Sequence, residues 1–385
     1  MSRKLASVVT IDSLHAIEGA DRIELAMVGG WQVVVGKGLY QPRDLAVYFE
    51  IDSLLPTANP AFSELADRLS SKLLFEIDGK GYARIKTTKL MKQLSQGFCV
   101  PLHELKDQVY ADGQLVALGD DLTERLGVLK YEAGEERSMN NAGVADGIKG
   151  KVSKPFPSFI PKTDQDRVQN VVPRFLIASL TGEKFEKTFK LDGSSMTVWF
   201  KDGNVGVASR NVSFNLHTMS KGFVQTFKEF VAQVKKKGWK KAKWVDQIQA
   251  DNNAFTQMAS NSGSVTALVR AGRNLAIQGE MVGPRIQKNF EGVDSNQFYV
   301  YHVYDIDAQA YLLPTERLAF LIEHGLRGVP EAGIVDLPET VAEVIADADG
   351  PSGLKGKYRE GFVYKSMTRD FSFKVISNKY LLKEA

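Results

Sequence analysis

One cysteine, Cys99, stands in 385 residues, which excludes intrachain disulfides and any cysteine-based zinc site. The five histidines are scattered, with no pair at metal-ligand spacing. No apolar run approaches the roughly 20 residues needed to cross a bilayer. The start, Met1-Ser-Arg-Lys, lacks a signal peptide's apolar core. No membrane partner is therefore expected, and a cytoplasmic setting is. The chain has no Gly-x-x-x-x-Gly-Lys-Ser/Thr phosphate loop and no Gly-x-Gly-x-x-Gly after a strand. Any nucleotide chemistry must use another scheme. Excess charge is scarce too: 49 Lys+Arg against 46 Asp+Glu leave a formal net charge of +3. That is too little to imply nucleic-acid binding by itself, so a nucleic-acid partner would require positive charge gathered on one face.

Hydrophobic residues make up 43% and charged residues 25%, the balance of an ordinary globular protein, and the length predicts two domains. The pattern reads as α+β. Residues 1–130 are β-rich: Trp31-Gln-Val-Val-Val-Gly and Leu45-Ala-Val-Tyr-Phe-Glu-Ile are short and β-branched, separated by Gly29-Gly30, Gly36, Gly38 and Pro42. Short strands at close spacing predict a small barrel of the OB type. Residues 131–163 lose periodicity and gather prolines, as in Lys154-Pro-Phe-Pro-Ser-Phe-Ile-Pro, and read as a linker. Residues 164–385 mix both periods. A hairpin is expected over Thr188–Arg210 with its turn at Asp202-Gly203. A helix is expected over Ser220–Lys237 with Ser220 as N-cap, and another over Thr315–His324 ending at Gly325. Strands are expected at Leu275–Glu280, Phe298–Tyr304 and Gly361–Lys365.

The segment Lys190-Leu-Asp192-Gly193-Ser-Ser suits covalent catalysis by an amine. A lysine amine attacks phosphorus only when neutral, although its ordinary pKa is roughly 10.4; nearby cations or desolvation would have to favour that form. Asp192 could bind a metal, and Gly193 would let backbone approach phosphate. Alone, Lys-x-Asp-Gly should arise by chance in about one chain of this length in ten. The order of the motifs beyond it is more specific. Ser209-Arg210-Asn211 comes about 20 residues later by its numbering, then Gln278-Gly279-Glu280, Tyr304-Asp305-Ile, Arg359-Glu360-Gly361-Phe-Val-Tyr, and Phe373-Lys374-Val-Ile-Ser-Asn-Lys379.

This ordered set resembles the covalent nucleotidyltransferase superfamily of ligases and mRNA capping enzymes. Within it, Asp192-Gly-Ser-Ser resembles the RNA ligases, since DNA ligases and capping enzymes more often carry a charged residue after that glycine. The chain is most similar to the family 5 ATP-dependent RNA ligases, over nearly its whole length. In the N-terminal part the likeness rests on Gly19-Ala-Asp21-Arg-Ile-Glu, Phe49-Glu-Ile-Asp52-Ser and Arg84-Ile-Lys86-Thr-Thr-Lys89-Leu. Before Lys190 it rests on Pro161-Lys-Thr-Asp-Gln-Asp-Arg167-Val-Gln-Asn.

The resemblance implies an OB-like barrel followed by a nucleotidyltransferase domain (ATP-grasp-like, ligase catalytic) of antiparallel sheets and helices. It implies that ATP is the substrate and Mg2+ or Mn2+ the metal. Lys190 would attack the α-phosphate and carry AMP. Glu280 would accept from a ribose hydroxyl and Tyr304 would stack on adenine. Arg210 would hold ribose or a 5′-phosphate, and Arg167 would meet the outer phosphates. Asp192, Glu280 and Glu360 would place the metal, and Lys374 would neutralise the α-phosphate in the transition state. The substrate implied is a nicked duplex of RNA or an RNA–DNA hybrid, with no obligate protein partner. Two positions depart from the superfamily pattern: Ile376 stands where a second lysine is common, leaving Lys379 as a candidate substitute, and Arg285 follows Gly283-Pro284 where glycine is common.

Some readings stay open. Arg84, Lys86, Lys89 and Asn211 could contact nucleic acid, or form a solvated face. Asp305 could hold a substrate-binding arginine or pair with a structural one. The run Lys235–Trp244 could track an RNA backbone, or be the solvated end of a helix whose dipole favours lysine. Because the nucleotide motifs gather from Lys190 onward, residues 1–130 are expected to engage substrate rather than take part in bond-making. The alternatives to an RNA ligase are a capping-type guanylyltransferase, an ATP-dependent DNA ligase, and an RNA-binding protein with a decayed active site.

Overall fold

Alternation of apolar and polar residues along short strands accounts for most of the architecture. The computed structural model describes residues 3–111, 114–131, 154–216, 219–220, 223–237, 241, 247–248 and 251–383. Most of the expected linker, residues 132–153, and most of the Lys235–Trp244 run lie outside the described residues.

The N-terminal strands wrap one core. Ala6–Thr10, Leu45–Phe49 and Phe98–Pro101 form one antiparallel sheet, and Ser13–Ala16, Ile23–Val28 and Trp31–Gly36 a second. A third holds Leu129–Lys130, Ser53–Pro56, Lys80–Arg84 and Leu74–Ile77. Their inward residues, including Val8, Val33, Val47, Phe49 and Leu55, share a single buried cluster. Helix Pro60–Arg68 starts where Asn59 accepts from the Ala61 N–H, and its Phe62 packs edge-on against Phe49 inside that core. Cys99 is buried there, its thiol pushed up to about 12 by burial.

The C-terminal half is built on two antiparallel sheets. The larger runs in the order Lys154–Pro155, Val212–Phe214, Asn204–Ala208, Ser194–Lys201, Leu275–Val282, Gln297–Asp305, Ala310–Tyr311. Asp202 and Gly203 form its tightest turn with φ of 49° and 79°, the left-handed pair a two-residue hairpin needs. That hairpin starts at Ser194 rather than Thr188, because Lys184–Lys190 belongs to the other sheet. The smaller sheet runs Glu331–Asp336, Lys184–Lys190, Gly361–Ser366, Ser372–Ile376. Helix Pro314–His324 ends at Gly325, as its sequence predicts. The basic helix begins at Phe223, and Ser220 lies instead in a short strand pair with Gln247–Ile248, so it is not the N-cap.

Each sheet buries one face and turns the other to a shared cleft. In the smaller sheet Phe185, Phe362, Tyr364, Phe373 and Val375 pack together, while the alternate residues Thr188, Lys190, Val363, Lys365, Lys374 and Ile376 line the cleft. In the larger sheet Met196, Val198, Ile277 and Met281 face the helices, while Ser195 and Glu280 face the cleft. The end of the expected linker is part of this half: Phe156, Phe159 and Ile160 pack against Trp199 and Tyr304.

The barrel meets the C-terminal half at Asn170. Trp31 Nε1 donates to Asn170 Oδ1 at 2.8 Å, and Asn170 Nδ2 donates to Glu50 Oε1 at 2.6 Å. Asn170→Ala strands both partners, each worth about 1–3 kcal/mol when left unsatisfied in a buried setting. The variant is expected to unfold at a lower temperature than wild type in a calorimetric scan, and an unchanged melting temperature would contradict this account of the seam.

Candidate active site

Strand register assembles the site. Lys190 is the last residue of Lys184–Lys190 and pairs with Gly361, which sets it beside Glu360. Its ammonium donates to Glu360 Oε2 at 2.7 Å. Ser195 pairs with Glu280 in the larger sheet, so the turn Leu191–Gly193 spans the two sheets. Gly193 is needed there: a Cβ on it would lie 2.2 Å from the Met281 carbonyl oxygen and 3.0 Å from Glu280 Cγ. The Asp192 N–H donates to Glu291 Oε1 at 3.0 Å, and Tyr380 Oη donates to Asp192 Oδ2 at 3.2 Å.

The charge state of Lys190 runs opposite to expectation. Burial would push its ammonium down, but Glu360, Glu280 and Asp192 outweigh that and hold it above the ordinary lysine value. The Lys190 amine is therefore held in its charged form. Lys374 is the reverse case. Burial together with Arg167, Lys190 and Arg3 lowers it to about 7, so it titrates near neutrality. Its backbone N–H donates to Asp166 at 2.8 Å, and Arg167 bridges to it in parallel.

The cleft holds about 810 Å³, within the range of small-molecule sites. It contains Arg167, Lys190, Asp192, Arg210, Glu280, Glu360 and Lys374, seven of the expected site residues. Arg167 is 7% exposed, its guanidinium pushed below the ordinary arginine value by burial, and its Nε has no hydrogen-bond partner among the described residues. Arg210 grips Asp164 with bonds of 2.6 and 2.9 Å.

Tyr304 is a correction. It lies on the cleft-side face of the larger sheet, but opposite Ala276 and beneath the apolar cover of Ile160, outside the cleft. Tyr301 and His302 line the cleft instead. An extra residue, Tyr301, interrupts the register between the pairs Gln278–His302 and Gly279–Val300, and such a bulge re-aims side chains. Tyr301 Oη lies 2.9 Å from Ser195 Oγ. His302 is half-buried, and desolvation with the neighbouring Lys365 and Arg317 pushes its imidazole well down, hence neutral.

Asp305 pairs with the exposed Arg273 at 2.5 Å and accepts from the Asp307 and Ala308 N–H groups, and it does not line the cleft. Asn211 accepts from Lys162 at 2.9 Å and does not line the cleft. Lys89 is exposed on Thr87–Leu90, outside the cleft. Lys379 does not line it either, its ammonium lying 6.0 Å from the Tyr358 ring centroid, whereas Ile376 does.

The barrel forms part of the cleft wall, with the expected Arg84 and Lys86 among its residues. Arg3, Asp52, Arg84, Lys86 and Lys130 line the same cleft as Lys190. Asp52, with φ of 69°, accepts from Arg84 at 2.6 Å and lies 3.8 Å from Arg167 across the seam. Arg84 stacks on Tyr131 at 3.5 Å. No motif spacing links these residues to Lys190; folding alone brings them there.

As a metal site, the carboxylates offer charge rather than a cage. Asp192, Glu280 and Glu360 all act on the Lys190 ammonium, yet among the described residues no three acidic, histidine or cysteine side chains converge as ligands. That donor set fits a small divalent cation which keeps most of its water and is reached by single carboxylates.

An OB-fold domain family model matches residues 5–102, and the RNA ligase family model matches residues 183–379. Among curated protein sequences no match stands out from chance. Solved structures of Naegleria gruberi RNA ligase align over the whole chain. A mutant with AMP and Mn has a TM-score of 0.80 at 34% identity, covering 100% of this chain and 99% of that one. The enzyme with PPi has a TM-score of 0.79 at 35% identity, covering 99% and 98%. A mutant with ATP and Mn has a TM-score of 0.78 at 33% identity, covering 99% of each. The chain belongs to the RNA ligase family, as an ATP-dependent RNA ligase with an N-terminal OB-fold domain.

Proposed function

We propose that this enzyme seals 3′-hydroxyl and 5′-phosphate ends at nicks in duplex RNA or RNA–DNA hybrids, through lysyl-AMP and RNA-adenylate intermediates. The observation that carries it is Lys190 at a strand end, within 2.7 Å of Glu360 and in one cleft with Lys374 and Arg167. Lys190 Nζ attacks the α-phosphorus of ATP, forming a P–N bond as the bond to pyrophosphate breaks. The AMP then passes to the RNA 5′-phosphate, and the 3′-hydroxyl displaces it to close the phosphodiester. We place this activity in the cytosol.

Lys190 must first lose its proton. Glu360, bonded to it, is placed to receive that proton. A divalent cation held through water by Asp192, Glu280 and Glu360 would offset the negative charge that now stabilises the ammonium. Lys374 meets the α-phosphate, and Arg167 with the barrel's Lys86 and Lys130 meets the outer phosphates. The purine lies toward Tyr301 and His302, not Tyr304.

A series of nicks with ribose or deoxyribose on each side tests the substrate, with labelled ATP and GTP compared on the first step. Sealing only of all-deoxy nicks, or labelling by GTP alone, would overturn the assignment. Lys190→Ala is expected to give no protein–AMP adduct by mass spectrometry and no sealing of 5′-phosphate nicks. Glu360→Ala and Asp192→Ala are each expected to slow adduct formation steeply at limiting magnesium, because each removes charge that positions the cation; wild-type rates would count against both roles.

Lys374 supplies a pH signature. A polyanion favours its charged form and raises its pKa above the unbound value of about 7. At pH 8 the complex then binds more protons than the free enzyme, so a non-transferable ATP analogue should take up a fraction of a proton from buffer. Calorimetry in buffers of different ionisation heat should detect that uptake, and it should shrink in Lys374→Met. Identical proton uptake in both proteins would remove Lys374 from the phosphate site.

A further inference from the structure

The segment between the Glu280 strand and the next strand carries a buried carboxylate that none of the expected roles uses. Glu291 is 1% exposed and forms no ion pair among the described residues. Its Oε1 accepts from the Asp192 N–H at 3.0 Å and its Oε2 from Ser352 Oγ at 2.8 Å. Its own carbonyl accepts from the Lys355 N–H at 3.2 Å. Asp192 lies in the turn directly after Lys190. Ser352 and Lys355 lie in the loop that leads into Glu360. Phe290, next in the chain, packs edge-on against Tyr358 and Tyr380, and Tyr380 in turn donates to Asp192 Oδ2.

A fully buried carboxylate is costly unless its oxygens are satisfied, and here both are satisfied by the two loops that present the nucleophile and its partner. Burial raises its pKa, which is the cost of keeping an acceptor with two receptive oxygens at that point. We propose that Glu291 is a positioning residue for lysine adenylylation: it pins the Leu191–Gly193 turn to the 351–359 loop, so that Lys190 and Glu360 reach the α-phosphate in register. Its role is geometric, through acceptance of the Asp192 N–H, and it does not touch the reacting atoms. This rests on the covalent lysyl-AMP reading of the same site.

The test separates position from charge and from folding. Glu291→Gln keeps an oxygen to accept from Asp192, while its amide N–H can donate to Ser352 Oγ. Glu291→Ala removes both bonds. Single-turnover adduct formation, ATP affinity, sealing of a pre-adenylylated nick and the melting temperature are measured for both variants. For Glu291→Ala the adenylylation rate constant should fall by about a hundredfold, the scale expected for an ångström-sized misplacement, with ATP affinity retained. Sealing of the pre-adenylylated nick, where Lys190 is not the nucleophile, should suffer far less. Glu291→Gln should recover most of the adenylylation rate. Three results would overturn the proposal: an unchanged rate in Glu291→Ala, a Gln variant as slow as the Ala variant, or a uniform loss of ATP affinity and every chemical step in parallel with a fall in melting temperature. Absence of any AMP adduct on the wild-type protein would instead sink the covalent reading on which it stands.

Discussion

On the proposed reading Lys190 must lose its proton to attack phosphorus, yet it sits among carboxylates that hold it charged. That conflict organises the site. Glu360 is bonded to Lys190, and Glu280 and Asp192 add to its field. Beside them, on the same smaller sheet, Lys374 joins Arg167 in a cationic cluster, where burial and mutual repulsion lower the Lys374 ammonium to about 7. The cleft is thus divided between a negative region around Lys190 and a positive one around Arg167 and Lys374. A triphosphate with its cation satisfies both at once, since each component supplies the charge that one wall lacks.

The geometry depends on two sheets being held at fixed separation, and buried polar groups do this at the base of the cleft. Arg317, on the helix after the larger sheet, forms a buried ion pair with Glu186 of the smaller sheet and also donates to the Tyr301 carbonyl at 3.2 Å. Lys365 of the smaller sheet donates to that same carbonyl. Burial and the Arg317 charge push the Lys365 ammonium well down, which eases its place in a dry floor. Removing one partner of such a set costs more than the set contributes, because a buried charge is left uncompensated. The arrangement therefore fixes one relative placement of the sheets, and Lys190 and Glu280 inherit it.

The barrel is bound into the same arrangement. Asp52 and Glu50 reach across the seam to Arg167 and Asn170, and Arg84, Lys86 and Lys130 extend the cleft's positive wall. The cleft thus takes its walls from both domains. The loop around Glu291 adds a third support behind the nucleophile turn.

What the sequence by itself determined is the local chemistry and the strands that carry it. Lys190, Asp192, Glu280, Glu360 and Lys374 were legible because each lies at a fixed offset within a short strand or turn. Strand periodicity then decides which face each occupies. The Asp202-Gly203 turn and the Gly325 helix end were legible because left-handed backbone restricts the residue. Only the tertiary structure decided the rest. Tyr304 was displaced as the cleft aromatic because a bulge at Tyr301 and an apolar cover from Phe156–Ile160 reset the wall of the sheet, and neither leaves a periodic signal. Asp305 and Asn211 are bonded to Arg273 and Lys162, residues distant from them in sequence, and do not line the cleft. Glu291, Arg3 and Lys130 entered the cleft region from segments whose patterns resemble ordinary loop and barrel surface. The charge of Lys190 also depended on folding, because a pKa is set by the balance of burial and neighbouring charges in three dimensions, and spacing along the chain does not encode that balance.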